Sequence, residues 1–146
     1  MKIAVACDHG GLQLKNALIK NMEGQGYEVV DFGTYTTDSC DYPDYASKAA
    51  KAVASGECDK GVVVCGTGIG VSIVANKVKG IRCALVHDVF SAKATRQHND
   101  TNMIAMGQRV IGEGLAIEIL NAWLHTEYEG GRHDLRIQKM MALEEE

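Results

Sequence analysis

The chain has 146 residues, 46% of them hydrophobic, and a formal charge of −4. That length suits one domain, read here as residues 1–146, able to bury roughly 70% of its unfolded surface. The charge offers no basic field for nucleic acid, and no run of about twenty apolar residues exists to span a membrane. With no leader pattern at Met1-Lys2-Ile3, the sequence reads as cytoplasmic. Cys7, Cys40, Cys58, Cys65 and Cys83 are odd in number and lack C-x-x-C spacing, which argues against a disulfide framework and a structural zinc site.

The predicted elements alternate. Lys2 to Cys7 reads as a strand, and Leu12, Leu14, Leu18, Ile19 and Met22 recur at helical spacing up to Gly24. Tyr27 to Phe32 reads as a second strand, and Tyr45 to Ala54, after Pro43, as an alanine-rich helix. Gly61 to Cys65 is a third strand, leading into a helix over about Gly70 to Val78. A strand at Ile81 to Val86 precedes a helix from Asp88 to about Gln97. A short strand at Asn102 to Met106 and helices at Leu115 to Leu124 and His133 to Leu143 complete the pattern. This rhythm predicts an α/β domain: an open doubly wound parallel sheet of about five strands, a Rossmann-like three-layer sandwich. Ligands of such folds bind beyond the carboxyl ends of the strands.

Polar residues gather at those ends. The first strand is followed by Asp8-His9-Gly10-Gly11, and the third ends in Cys65-Gly66-Thr67-Gly68-Ile69-Gly70. A buried strand followed by glycines and a helix start aims several N–H groups at one point. Such a point suits a phosphate or a developing oxyanion, and the same dipoles favour a thiolate. Two familiar loops are excluded by Val71: a dinucleotide fingerprint needs its third glycine there, and a cysteine phosphatase needs its arginine there. His87-Asp88 follows the fourth strand. Arg96-Gln97-His98-Asn99-Asp100 precedes the fifth, Gln108-Arg109 follows it, and Arg132 and Arg136 lie one helical turn apart. Each has a plainer alternative: Asp8 as a helix cap, Thr67 as a turn hydroxyl, the arginines as a solvated face.

Six ordered segments make the chain resemble the type B ribose-5-phosphate isomerases, a family that includes allose- and galactose-6-phosphate isomerases. They are Cys7-Asp8-His9-Gly10-Gly11, Asp41-Tyr42-Pro43-Asp44-Tyr45-Ala46, Cys65 to Gly70, Arg96 to Asp100, Gly107-Gln108-Arg109-Val110 and Tyr128-Glu129-Gly130-Gly131-Arg132-His133. The resemblance implies aldose–ketose isomerisation of a sugar phosphate through an enediolate, with ribose 5-phosphate or a 6-phosphohexose as substrate. Such chemistry needs a carbon base, oxyanion donors, a ring-opening acid/base and cations for phosphate. By resemblance, Cys65 is the carbon base, His98 opens the ring, and Thr67 steadies the thiol or shuttles a proton. The N–H groups of Gly66, Thr67, Gly68, Ile69 and Gly70 form the oxyanion cradle. Asp8 and Asn99 hold sugar hydroxyls, and His9, Arg109, Arg132 and Arg136 hold phosphate. Some relatives carry a glutamate base at the position of Val71, which places this chain with the cysteine branch.

No metal and no organic cofactor are expected. The family's sites are shared between subunits, implying a homodimer, or a dimer of dimers, in which His98, Asn99, Arg109, Arg132 and Arg136 come from the neighbour. Two rivals are a phosphatase using Cys65 and a nucleotide-binding module. The missing arginine opposes the first, and the glycine spacing opposes the second.

Overall fold

A computed structural model describes residues 1–146. The elements in chain order are β1 (Lys2–Cys7), α1 (Leu12–Gly24), β2 (Glu28–Asp31), α2 (Tyr42–Ala54), β3 (Lys60–Cys65) and α3 (Ile69–Asn76). They continue as β4 (Cys83–Leu85), α4 (Val89–Asn99), β5 (Met103–Gly107), α5 (Glu113–His125) and α6 (His133–Ala142), with a 3-10 turn at Leu143–Glu145. All five strands are parallel, in the order β2-β1-β3-β5-β4. This is the doubly wound sheet expected from the alternating pattern. No helix is long and apolar enough to cross a membrane.

Strand alternation divides the core between two faces. Val5, Val62, Val64, Ile104 and Met106 pack with Leu14 and Leu18 of α1 and with Ile119, Leu120 and Trp123 of α5. Ala4, Ala6, Val63, Cys65 and Ala105 face Ala46, Ala49, Ala50 and Val53 of α2 and Val71 and Ala75 of α3. Small residues on both sides of that second layer let α2 lie close to the sheet.

Two boundaries differ from the sequence reading for local reasons. Helix α2 begins at Tyr42, three residues early, because Pro43 fits a first turn whose N–H groups need no helical partner. Strand β4 is three residues long instead of six. Before it, side chains replace the ladder: Asn102 Oδ1 accepts the Arg82 N–H at 2.9 Å, and Asn76 Oδ1 accepts the Cys83 N–H at 2.8 Å.

The chain leaves β1 for β2 at one edge, then returns past β1 to β3. That reversal opens a crevice between the carboxyl ends of β1 and β3, where a doubly wound sheet binds its ligand.

Candidate active site

The crevice holds the first group of expected residues. Asp8 directly follows β1, is 8% exposed, and accepts the Gly10 N–H at 2.9 Å. Gly11 lies so close to β3 that a Cβ there would sit 2.7 Å from the Val64 carbonyl oxygen. The loops after β1 and β3 therefore touch only because both are rich in glycine.

Cys65 ends β3, and its Sγ accepts the Gly68 N–H at 3.1 Å. Gly68 caps α3 with φ +77°, a left-handed conformation suited to glycine, and a Cβ there would strike Leu85 and the backbone after Met106. The thiol thus sits at a helix start with one N–H aimed at sulfur. Thr67 Oγ1 lies 4.0 Å from the sulfur and accepts the Ile69 N–H at 3.2 Å. Other thiols lie in hostile surroundings. Burial pushes Cys7 and Cys83 up to about 12 and raises Cys58.

His9 is oriented by an element distant in sequence. Its Nδ1 accepts the Cys40 N–H at 3.2 Å, so a neutral ring carries its proton on Nε2. The loop bearing Cys40 is itself pinned by the buried Lys15, whose Nζ donates to Asp31 Oδ1 at 2.7 Å and to the Thr34 carbonyl at 2.6 Å.

Arg109 also belongs to this end. The ladder continues past the strands, with Gln108 N–H donating to the Cys65 carbonyl at 2.9 Å and Arg109 N–H to Gly66 at 3.0 Å. The Arg109 side chain crosses Gly66, its Cδ 3.5 Å from where a Cβ would stand. It stands beside Gly66 of its own chain because both follow the carboxyl ends of adjacent parallel strands.

His98, Asn99, Arg132 and Arg136 form a second group elsewhere. Helix α4 runs back antiparallel to its strand, so His98 and Asn99 at its end reach the amino ends of β4 and β5. There the Asn99 carbonyl accepts Arg82 Nε at 3.0 Å. His98 stacks on His133 with ring centroids 4.7 Å apart and planes 19° apart, which brings α6 with Arg132 and Arg136 to the same end. The five residues of β5 alone separate the groups by roughly 13 Å. None of the chain's four cavities is lined by Cys65, and one of about 430 Å³ borders Asn99 and Arg82 instead.

Four neighbours carry no role in the sequence reading. Tyr42 packs over the cradle, its Cζ 2.8 Å from a Cβ built on Gly70. His87 Nε2 accepts the Gly107 N–H at 3.0 Å, and burial lowers its pKa. His133 Nε2 is buried without a hydrogen-bond partner, 3.7 Å from Glu129 Oε2. Burial, then the charge of Arg132, lowers the His133 pKa. Tyr42, Glu129 and His133 stand in segments that carried the resemblance, and that was the only available signal.

Donor atoms of His98, Glu129 and His133 lie within 4.8 Å of one another, so these residues are the set best placed for a metal. Stacked rings do not converge their lone pairs on one point, and two arginines add positive charge. The cluster suits an anion and proton transfer better than a dication.

Comparison with known proteins identifies the family. The profile of the ribose/galactose isomerase family matches residues 3–140. Ribose-5-phosphate isomerase B of Escherichia coli (strain K12) is 49% identical over 144 residues, covering 99% of this chain and 97% of the relative. Galactose-6-phosphate isomerase subunit LacB of Clostridium acetobutylicum is 41% identical over 139 residues, covering 95% and 80%. The structure of Clostridium thermocellum ribose-5-phosphate isomerase B superposes with a TM-score of 0.98 at 50% identity, covering 99% of this chain and 98% of that one. The chain belongs to the ribose/galactose isomerase family.

Proposed function

We propose that the protein interconverts ribose 5-phosphate and ribulose 5-phosphate, with Cys65 as the carbon base and His98 as the ring-opening group. The observation that carries the reading is the Gly68 N–H donated to Cys65 Sγ at the mouth of the β1–β3 crevice.

His98 takes the proton of the C1 hydroxyl and returns one to the ring oxygen, which frees the aldehyde. Cys65 thiolate then removes the C2 proton, and charge builds on the oxygens of the enediolate. Backbone N–H groups of the Gly66–Gly70 cradle other than Gly68 and Ile69, which serve Cys65 and Thr67, receive that charge at a helix start. Thr67 moves the hydroxyl proton from O2 to O1, and Cys65 returns its proton to C1, giving the ketose. Asp8 and Asn99 hold sugar hydroxyls. His9 presents Nε2–H to the phosphate, alongside the cations of Arg109, Arg132 and Arg136.

Two copies complete each site in this reading. Asp8, His9, Cys65, Thr67 and Arg109 come from one chain, and His98, Asn99, Arg132 and Arg136 from its partner. Supporting it are the separation of the groups and the exposed apolar Ile69, Ile73, Leu85, Phe90 and Val110 around the carboxyl-end loops and the neighbouring helices. A two-fold homodimer would make two equivalent sites.

Incubating the protein with ribose 5-phosphate tests the reaction directly. Ribulose 5-phosphate is the expected product, whereas free phosphate marks a phosphatase and no product marks a binding module. The second reading, a 6-phosphohexose substrate, is favoured by the similarity to the LacB subunit. Parallel assays with allose 6-phosphate and galactose 6-phosphate decide between them.

A further inference from the structure

The last turn of α4 ends at Asp100, whose backbone is left-handed with φ +46° and ψ +47°. It is the chain's one non-glycine residue with positive φ, a conformation that carries steric cost and marks an over-determined position. Two arginines from different elements converge on it. Arg96 Nη1 donates to Asp100 Oδ1 at 2.8 Å and to the Thr101 carbonyl at 2.7 Å. Arg82 Nη2 lies 3.5 Å from Asp100 Oδ2 and donates to the Asp100 carbonyl at 2.6 Å, while Arg82 Nε reaches the carbonyls of Asn99 and Asp100.

A helix end needs donors for its last carbonyls, and one cation or a glycine suffices. Here two guanidinium groups, largely buried, share a single carboxylate. The same knot reaches α6 through Arg82 Nη1 and Met141 Sδ at 3.5 Å, and the segment before α6 through the Glu129 N–H and the Gln97 carbonyl at 3.1 Å. His98 and Asn99, the residues immediately before Asp100, are carried on that turn.

We propose that Asp100, clamped between Arg82 and Arg96, is a positioning residue that aims His98 and Asn99 into the site. The role rests on the reading of His98 as the ring-opening group. Without the carboxylate, two cations face each other, and the turn bearing His98 loses its fixed direction. A displacement of about an ångström is enough to cost a proton-transfer group much of its effect.

The test measures ring opening by itself. Magnetisation transfer between the anomeric protons of ribose 5-phosphate reports the rate at which the enzyme opens the sugar. Asp100→Asn keeps the side-chain shape and tolerates the left-handed backbone while removing the charge. It is expected to slow anomer exchange at least about ten-fold, and to raise KM by a smaller factor as Asn99 shifts with the turn. Arg82→Met is expected to act in the same direction and carries the comparison if Asp100→Asn does not fold.

Loss of thermal stability in both variants with wild-type anomer exchange per folded molecule would overturn the proposal and leave Asp100 a structural cap. If His98→Asn slows anomer exchange and neither clamp variant does, only the proposal fails. If the wild-type enzyme does not accelerate anomer exchange, the ring-opening reading fails and the proposal with it.

Discussion

The imidazole of His133 lies on that of His98, ring centroids 4.7 Å apart, with its own Nε2 buried and unpartnered. Burial, then Arg132, lowers its pKa and favours the neutral ring, against the smaller pull of the Glu129 carboxylate. The folded protein therefore binds fewer protons here than the unfolded chain. This stability contribution is present above the ordinary histidine pKa of about 6.5 and is lost as pH falls through it. His133→Phe keeps the stack and cannot titrate. Its melting temperature is expected to fall less than that of the wild type between about pH 7.5 and pH 5.5. Equal slopes would show that His133 does not contribute to the acid response.

Cys65→Ala is expected to abolish isomerisation while leaving substrate affinity within a few-fold, because a base acts on the reacting carbon and not on ground-state binding. Cys7, Cys58 and Cys83 should each tolerate alanine far better, since burial holds their thiols protonated. Steady-state kinetics and direct binding of ribose 5-phosphate check the pair of expectations. Turnover near wild type in Cys65→Ala would remove the thiol from the mechanism.

The link from His87 Nε2 to the Gly107 N–H supports the cradle from behind, because a Cβ at Gly107 would stand 2.6 Å from the Thr67 carbonyl oxygen. His87→Ala strands that buried N–H and is expected to destabilise the fold by about 1–3 kcal/mol in chemical denaturation. Protonation of Nε2 breaks the same bond, so the burial that lowers its pKa adds to the loss of stability on acidification.

Lys15 has no exposed side-chain surface, and its partner Asp31 keeps 29%. Removing the ammonium leaves a half-buried carboxylate and frees the Thr34 carbonyl. Lys15→Met is expected to cost about 3 kcal/mol, near the lower end for a broken buried pair. Because the same loop carries Cys40 to His9, the substrate requirement should also rise, and titration with inorganic phosphate should show weaker binding. Unchanged phosphate affinity in a destabilised variant would uncouple Lys15 from His9.

Periodicity revealed much of the fold because the strands alternate cleanly, as Val62 and Val64 face α1 and α5 while Val63 and Cys65 face α2 and α3. Strand β4 was overread because Asn76 and Asn102 side chains mimic a ladder, which an apolar pattern cannot reveal. Cys65, Thr67 and Asp8 were legible as a site because glycines and a helix start follow a buried strand. Arg109 stands beside Gly66 of its own chain because it follows a parallel strand neighbouring β3, a placement that strand order gives and spacing does not. The roles of Tyr42, His87 and His133 could not be read from spacing, since their contacts come from elements far apart in the chain.

The central claim is that Cys65 of one chain works with His98 of another. Mixing inactive Cys65→Ala with inactive His98→Asn, under conditions where subunits exchange, tests it most directly. In each mixed dimer both lesions fall in one pocket and leave the other whole. Activity should return to about a quarter of the wild-type level after random reassortment of dimers. No recovered activity, with exchange of subunits verified, would contradict the shared site.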